Sequence, residues 1–154
     1  MKKKLGLIIV GISILCCTGC NPETGTMTCT MSTYPTDGIT LRSTYTAEYK
    51  NNIVKKLKTV EKVIAEDEDN LEVYEEKIKE LYQGYQGIDY YTNKTKIKDN
   101  TLTSMTIIDY SKVDTDKLIK VDSGNSGIIK NGKVNIKDLE KLYKENGCNC
   151  KKEG

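Results

Sequence analysis

Three closely spaced cysteines are the residues of this sequence best placed for chemistry. Cys16, Cys17 and Cys20 lie in the stretch CCTGCNPETG, directly after an apolar run over residues 5–15. A thiolate is a nucleophile that can attack a lipid donor and form a thioether, and a thiol that follows an apolar segment suits that reaction. The spacing therefore indicates covalent modification of one of the three.

The residues that precede Cys20 favour it over the other two. The tetrad CTGC resembles the short box that ends in the modified cysteine of bacterial lipoproteins, in which small residues let a peptidase hold an extended chain. Thr18 and Gly19 supply the small residues, whereas Cys17 stands where leucine is usual. We expect lipidation at Cys20 and assign Cys16 and Cys17 to the segment that is removed. An ordinary secretory signal followed by an unmodified thiol is the alternative.

Residues 1–19 have the layout of a secretory signal peptide. Lysines open the chain, a short apolar run follows, and small residues close the segment. The apolar run is shorter than the roughly 20 residues that a permanent membrane-spanning helix needs. We therefore expect removal of residues 1–19, a lipidated tether over residues 20–26, and a protein that is anchored to the cell membrane and faces outside the cytoplasm. An uncleaved N-terminal membrane anchor is the alternative.

The charge that remains after removal of the signal limits the classes of partner. The 154 residues carry a formal net charge of +2, and the first 19 contain three lysines and no acid, which leaves −1. Phosphate backbones require a clear basic excess, so the sequence argues against a nucleic-acid partner. Membrane lipid, reached through the two acyl chains of a diacylglyceryl group on Cys20, and an envelope protein are the expected partners.

Three cysteines lie beyond the signal and Cys20, namely Cys29, Cys148 and Cys150. Export permits a disulfide, and the odd count allows at most one within the chain. A bridge between Cys148 and Cys150 would close a tight, strained ring. A bridge from Cys29 would close a loop of about 120 residues and stabilise the fold by at most about 5 kcal/mol. We favour Cys29–Cys150 slightly over Cys29–Cys148, and free thiols are the alternative.

Candidate groups for catalysis and metal binding are sparse. The chain has no histidine, which excludes Ser-His and Cys-His pairs, and a single Cys-x-Cys lacks the second ligand pair of a zinc site. The acids of residues 66–69 lack the spacing of a calcium loop, and the glycines of VDSGNSG lack the lysine of a phosphate loop. Asp89 and Asp109 could pair, although simple exposure to solvent is favoured. We therefore expect no enzyme activity, no metal site and no cofactor.

Hydrophobic periodicity in the first half of the chain predicts antiparallel strands. Alternation over residues 39–49 indicates a strand with one buried face, after a short strand at 27–32 and a turn at 34–38. The periodicity of residues 53–66 fits either a helix or a strand, and the Asn-Asn turn and the β-branched residues favour a returning strand at least through Val60.

The second half of the chain adds helices and another hairpin. Apolar residues three and four apart predict a helix over residues 66–87, with its inner face formed by Leu71, Tyr74, Ile78, Leu81 and Tyr85. The later elements are a hairpin over 88–97 and 101–110, a helical turn over 113–120, a loop over 121–133, and a helix over 135–147 capped by Asn135. The pattern predicts one α+β domain over residues 27–150, with a sheet built from two hairpins and a central and a C-terminal helix packed on it.

Ten tyrosines, with no phenylalanine or tryptophan, are the aromatic residues of the chain. Tyrosine is common at binding surfaces, and Tyr34, Tyr82 and Tyr91 are the exposed candidates. For the set as a whole, a core role in which tyrosine replaces phenylalanine is favoured. The predicted core members are Tyr45, Tyr49, Tyr74, Tyr85, Tyr90 and Tyr110.

Several short stretches, in order and spacing, resemble the YehR-like group of small bacterial lipoproteins, a domain of unknown function. The stretches are TCTMS, GITLRSTYT, YQGIDYY, IDYSKVD and NIKDLEKLYKENG, which span roughly residues 26–147. The resemblance implies an α+β domain with an antiparallel sheet, helices packed against it and a lipid anchor, and it favours a strand over residues 53–64. Cys148 departs from the pattern because an aromatic residue usually follows the glycine there.

These observations predict the cellular location of the protein more clearly than its molecular activity. We expect a membrane-anchored extracytoplasmic lipoprotein that acts as a binding or interaction domain. An envelope-maintenance or accessory lipoprotein that stabilises a partner is the alternative, and an enzyme is the least favoured class. The resemblance supplies no catalytic residue and no ligand.

Overall fold

A computed structural model describes residues 23–66 and 69–154 of the chain. The predicted signal peptide, Cys20, Asp67 and Glu68 lie outside these residues. Within them the strands are β1 (Thr24–Thr36), β2 (Ile39–Lys50), β3 (Ile53–Ala65), β4 (Tyr91–Lys98), β5 (Thr101–Asp109), β6 (Ile129–Lys130), β7 (Lys133–Val134) and β8 (Asn149–Glu153). The helices are α1 (Asp69–Gln83), α2 (Thr115–Val121) and α3 (Ile136–Glu145), and a short 3-10 helix spans Ser123–Gly127.

Six of the strands form one antiparallel sheet in the order β4-β5-β3-β2-β1-β8. Tight turns set the register of its hairpins. Asn51 and Asn52 have φ values of 51° and 63°, and Asp99 and Asn100 have 49° and 52°. Asparagine and aspartate tolerate this left-handed conformation, which matches the twist of the flanking strands. The α+β fold class predicted from the sequence is confirmed.

The helices cover only one face of the sheet, here called the inner face. Side chains of this face form two separate apolar clusters. The larger cluster gathers Met27, Cys29 and Leu57 with residues of α2 and α3, such as Leu118 and Leu139. The smaller cluster lies beneath α1 and contains Ile39, Val63, Ala65, Leu71 and Leu102. Because the sheet is covered on one side alone, its strands alternate between buried and solvent-facing residues.

The strands extend further than the sequence indicated. β1 begins at Thr24, inside the segment predicted as tether, and continues through Pro35, so that the turn narrows to Asp37 and Gly38. β3 is a strand over its whole length, which resolves the ambiguity of residues 53–66. β8 was not predicted because its residues are mostly polar and exposed. It pairs with β1 at the edge of the sheet and carries the domain beyond residue 150.

The helix predicted over residues 66–87 is shorter, and its inner face is partly wrong. α1 ends at Gln83, and Tyr85 lies in the turn that follows. Leu71 is fully buried, but Leu81 is 63% exposed because the last turn of α1 reaches past the smaller cluster.

Two other segments also differ from expectation. The loop predicted over residues 121–133 contains the 3-10 helix, and Ile129 and Lys130 begin a small hairpin with β7. α3 forms as predicted but spans Ile136–Glu145, and the Asn135 side chain accepts a hydrogen bond from the Lys137 N–H, which caps it.

Candidate functional site

A band of polar side chains crosses the inner face between the two apolar clusters. It consists of two rows of residues that the strand register places side by side. The row nearer the larger cluster is Tyr45, Thr59, Thr106 and Asn93, and the row nearer the smaller cluster is Ser43, Glu61, Ser104 and Thr95. Because buried polar groups are costly unless they are hydrogen-bonded, a polar band within a core is a candidate site.

Hydrogen bonds fix the side chains of this band. The Tyr82 hydroxyl, at the end of α1, donates to the Glu61 Oε2 at 2.8 Å. The Asn93 Nδ2 donates to the Ser104 Oγ at 3.0 Å and to the Thr106 Oγ1 at 2.9 Å. Glu61 therefore occupies the centre of the band, on a central strand, with its carboxylate directed toward the helix side of the sheet.

Tyrosine rings form the walls above the band. Tyr85 stacks on Tyr91 with ring centroids 4.9 Å apart, and Tyr45 stacks on Tyr143 at 4.3 Å. The Asn125 Nδ2, in the 3-10 helix, donates to the Tyr85 hydroxyl at 3.2 Å. The stacked rings hold one another in place, so the walls are largely pre-formed.

The band and the rings border an open cavity that we call the tyrosine cleft. Its inner chamber has a volume of about 170 Å³, with Glu61, Tyr82, Tyr85, Tyr91 and Asn125 among its lining residues. An outer chamber of about 410 Å³ shares Tyr82, Tyr85 and Tyr91 with it and opens between α1 and β4. At about 30 Å³ per water molecule, the inner chamber has room for a small ligand only.

Burial determines the protonation state of the tyrosines in and beneath the cleft. Removal from water raises the pKa of Tyr82 and Tyr91 well above 10, and the negative charge of Glu61 raises both further. Burial also raises the pKa of Tyr110, which lies in the larger cluster, to about 12. A protonated phenol donates one hydrogen bond and is a poor base, so these hydroxyls are suited to binding rather than to proton abstraction.

One hydroxyl of the cleft is left without a partner. Tyr91 Oη is buried, and no group of the described residues forms a hydrogen bond of acceptable geometry with it. Thr106 lies close to it, and its Oγ1 accepts from Asn93. A buried unpaired hydroxyl costs about 1–3 kcal/mol, which a ligand or water that paired with it would recover.

Of the residues predicted to carry chemistry, two cysteines meet in the structure. Cys29 and Cys150 lie opposite each other on β1 and β8 and form a disulfide, with 121 residues of sequence separation. Cys148 is a free, buried thiol, and burial raises its pKa. Cys20, the predicted lipidation site, lies outside the described residues.

The two candidate acids stay apart from the cleft. Asp109 accepts a hydrogen bond from the Ser111 N–H at 3.0 Å, and its carboxylate lies 3.6 Å from Lys112. Asp89 is exposed in the turn before β4. Across residues 23–66 and 69–154, no group of three or more acids and cysteines converges as a metal site would require. No helix among these residues is long and apolar enough to span a membrane.

The tyrosine assignments were partly wrong. Tyr34 is 74% exposed, as predicted, but Tyr82 and Tyr91 are half-buried and line the cleft. Tyr90, predicted in the core, is 54% exposed because its φ of 64° turns the chain before β4. Glu61 and Asn93 were missed as site residues because nothing in the local sequence shows that distant strands bring them together.

Comparison with other proteins agrees with this fold. A protein from Streptococcus pneumoniae TIGR4, solved by NMR, is similar over 98% of this chain and 98% of its own, with 17% identity and a TM-score of 0.55. The E. coli YehR protein, also solved by NMR, is similar over 86% of this chain and 92% of its own, with 21% identity and a TM-score of 0.54. Among curated proteins, no match to the chain was found.

A family described as "Protein of unknown function (DUF1307)" matches residues 27–149, which is most of the chain. The matched region runs from β1 into β8 and contains every residue of the tyrosine cleft named above. Together with the likeness to YehR, this match confirms the resemblance seen in the sequence. The chain belongs to the YehR-like DUF1307 family, whose function is unknown.

Proposed function

We propose that this protein is a lipid-anchored, extracytoplasmic binding domain and that the tyrosine cleft holds its ligand. The observation that carries the proposal is the Glu61 carboxylate, which lies at the centre of a polar band and beneath tyrosine rings. Glu61 is only partly buried, so its side chain is reachable from the cleft, and within the described residues its side-chain hydrogen bond is with the Tyr82 hydroxyl.

The chemistry of the cleft favours a small organic cation. Within the described residues, Glu61 forms no ion pair with a lysine or arginine, and its carboxylate has the Tyr82 hydroxyl as a neutral partner. The faces of tyrosine rings carry partial negative charge and attract cations. A carboxylate combined with several such faces is therefore complementary to an ammonium group.

Neutral polar groups would orient the rest of the ligand. Tyr91 lines both chambers, and Asn93 lines the outer one. Both N–H groups of the Asn93 amide are already donated, so a ligand hydroxyl a few bonds from the ammonium group would donate to its Oδ1. We expect binding without catalysis, because the protonated tyrosines are poor nucleophiles and bases at neutral pH and Glu61 has no second carboxylate or amine beside it among the described residues that line the inner chamber.

The alternative is an accessory lipoprotein that stabilises an envelope protein. Such a role would use a contiguous apolar surface. In the part of the chain that the structure describes, the exposed large apolar side chains are spread over several elements: Val73 and Leu81 on α1, Tyr34 on β1, Tyr90 in the turn before β4, Val121 on α2 and Leu142 on α3. This scatter favours the ligand-binding proposal.

Titration with choline, putrescine and tetramethylammonium tests the cleft. The chain contains ten tyrosines and no tryptophan, so binding near the stacked rings changes the tyrosine fluorescence of the whole protein. We expect saturable binding of at least one probe, and an affinity about tenfold lower in Glu61→Gln, because the charged acceptor is lost.

The matched control is Tyr34→Phe, which removes an exposed hydroxyl far from the cleft and should leave the affinity unchanged. If no probe gives a saturable signal, or if Glu61→Gln binds as tightly as the parent, the cleft is not a site for organic cations.

The anchor is tested by growing cells with a radiolabelled fatty acid. We expect the parent to take up label and the Cys20→Ser variant to take up none and to leave the membrane fraction, because the thioether cannot form. Cys148→Ser is the matched control and should retain both label and membrane association. Release of the parent from membranes, or label in Cys20→Ser, would contradict lipidation at this position.

A further inference from the structure

The outer face of the sheet is open to solvent. All the buried side chains of β2, β3 and β5 belong to the inner face, and no helix among the described residues covers the other side. In many antiparallel sheets one such face is simply solvated. Here, however, the distribution of charge on the open face is strongly uneven.

Six basic residues form what we call the basic sheet patch: Arg42, Lys58, Lys62, Lys94, Lys96 and Lys98. All six are exposed, and the strand register places no acid in the rows that contain them, although Lys98 Nζ lies 3.5 Å from the Asp99 carboxylate in the adjoining turn. The acids of this face, Glu48, Asp109 and Glu153, lie in one row at the end of the sheet near the Asn51–Asn52 turn, with Lys56 between Glu48 and Asp109. The charge is therefore segregated although the chain without residues 1–19 is almost neutral.

Protection of a sheet edge explains only part of this patch. Lysines on an edge strand discourage pairing with another chain, which accounts for Lys94, Lys96 and Lys98 on β4. Arg42 and Lys62, however, lie directly opposite each other on β2 and β3 in the interior of the sheet. Like charges in that arrangement repel each other and destabilise the pairing of the strands. A negatively charged partner would offset this repulsion.

The patch is also partly apolar. Val60 and Met105 lie opposite each other between the basic rows, and Ile64 and Ile107 flank them, all half-buried. Lysine side chains lie readily along such apolar surface while their ammonium groups remain in water. Aliphatic residues surrounded by cations are typical of surfaces that rest on the headgroup region of a membrane.

We propose that the basic sheet patch docks on anionic phospholipid headgroups. Each lysine or arginine close to an anionic membrane contributes about 1 kcal/mol of attraction, so six of them act together. A nucleic acid is a poorer match, because the patch offers no aromatic side chain for bases to stack on. The inference is independent of Cys20, since the charge lies on the folded domain itself.

Sedimentation of the full chain with vesicles tests this docking. The vesicles contain phosphatidylcholine alone or mixed with phosphatidylglycerol, and the variant replaces Arg42, Lys62, Lys96 and Lys98 with glutamine. We expect its partition onto the anionic vesicles to fall at least about tenfold, and the difference to vanish at high salt. Partition onto phosphatidylcholine should not change, because residues 1–19 are the same in both chains.

A second variant carries the same change of charge elsewhere: Lys77, Lys117, Lys137 and Lys141, all exposed on the helices, become glutamine. We expect its partition to stay within about threefold of the parent. An equal loss in both variants would mean that overall charge, and not the patch, governs binding. No loss in the patch variant, or tighter binding of the parent to a single-stranded oligonucleotide than to the anionic vesicles, would also overturn the proposal.

Discussion

Replacing both bridged cysteines, as Cys29→Ala with Cys150→Ala, is expected to lower the free energy of unfolding by about 3–5 kcal/mol. The bridge joins residues 121 positions apart, so its loss releases nearly the whole domain in the unfolded state. Cys29 is also fully buried in the larger cluster, and β8 is held at the sheet edge by only five paired positions. The edge strand therefore loses its main attachment when the bridge is removed.

Urea unfolding of the parent and the double variant measures this effect. The slope of the transition should rise as well, because an unbridged chain exposes more surface when it unfolds. The parent under reducing conditions should match the double variant. Cys148→Ala is the control, since it removes a buried thiol without changing the loop and should leave the slope unchanged. A double variant as stable as this control would show that the bridge contributes little.

Leu71→Ala is expected to destabilise the domain by about 2–5 kcal/mol, whereas Leu81→Ala should change its stability by less than about 0.5 kcal/mol. Both leucines lie on α1 and belong to the same helical periodicity. Leu71 is fully buried against residues such as Val63 and Leu102, and its truncation leaves a cavity. Leu81 is mostly exposed, so its truncation removes little contact.

Denaturant unfolding of the two variants checks this contrast. Because both changes are leucine to alanine on one helix, helix propensity contributes equally and cancels in the comparison. Similar losses in the two variants would mean that the end of α1 packs more closely than the structure indicates. A small loss in Leu71→Ala would mean that α1 and the smaller cluster are not needed for the stability of the sheet.

How well each strand could be predicted depended on how its apolar residues are divided between its two faces. β2 was identified correctly because its apolar residues lie on one face, with Ala47 and Tyr49 buried and Glu48 exposed between them. β3 was ambiguous because apolar residues occupy both of its faces. Leu57 points into the larger cluster, whereas Val60 and Ile64 belong to the outer face. Their combined spacing imitates a helix, and the strand was favoured by the Asn-Asn turn, the β-branched residues and the family resemblance.

The candidate site could not be predicted from local sequence. Glu61, Asn93 and Thr106 belong to three strands, and their proximity depends on register over long separations. A sequence pattern reports on neighbours along one strand or helix, so it identified single tyrosines but not the cleft that they form. The same limit applies to the basic sheet patch, where Arg42 and Lys62 meet only through the pairing of β2 with β3.

The pairing of β8 with β1 has a consequence for the order in which the domain can close. Thr26 lies opposite Glu153, so the first strand of the described domain pairs on one side with its last strand. Because β8 follows the other elements along the chain, that edge of β1 stays unpaired until they have been synthesised. The Cys29–Cys150 bridge likewise has to wait for residues 30–149, so it secures a completed fold and does not guide its first steps.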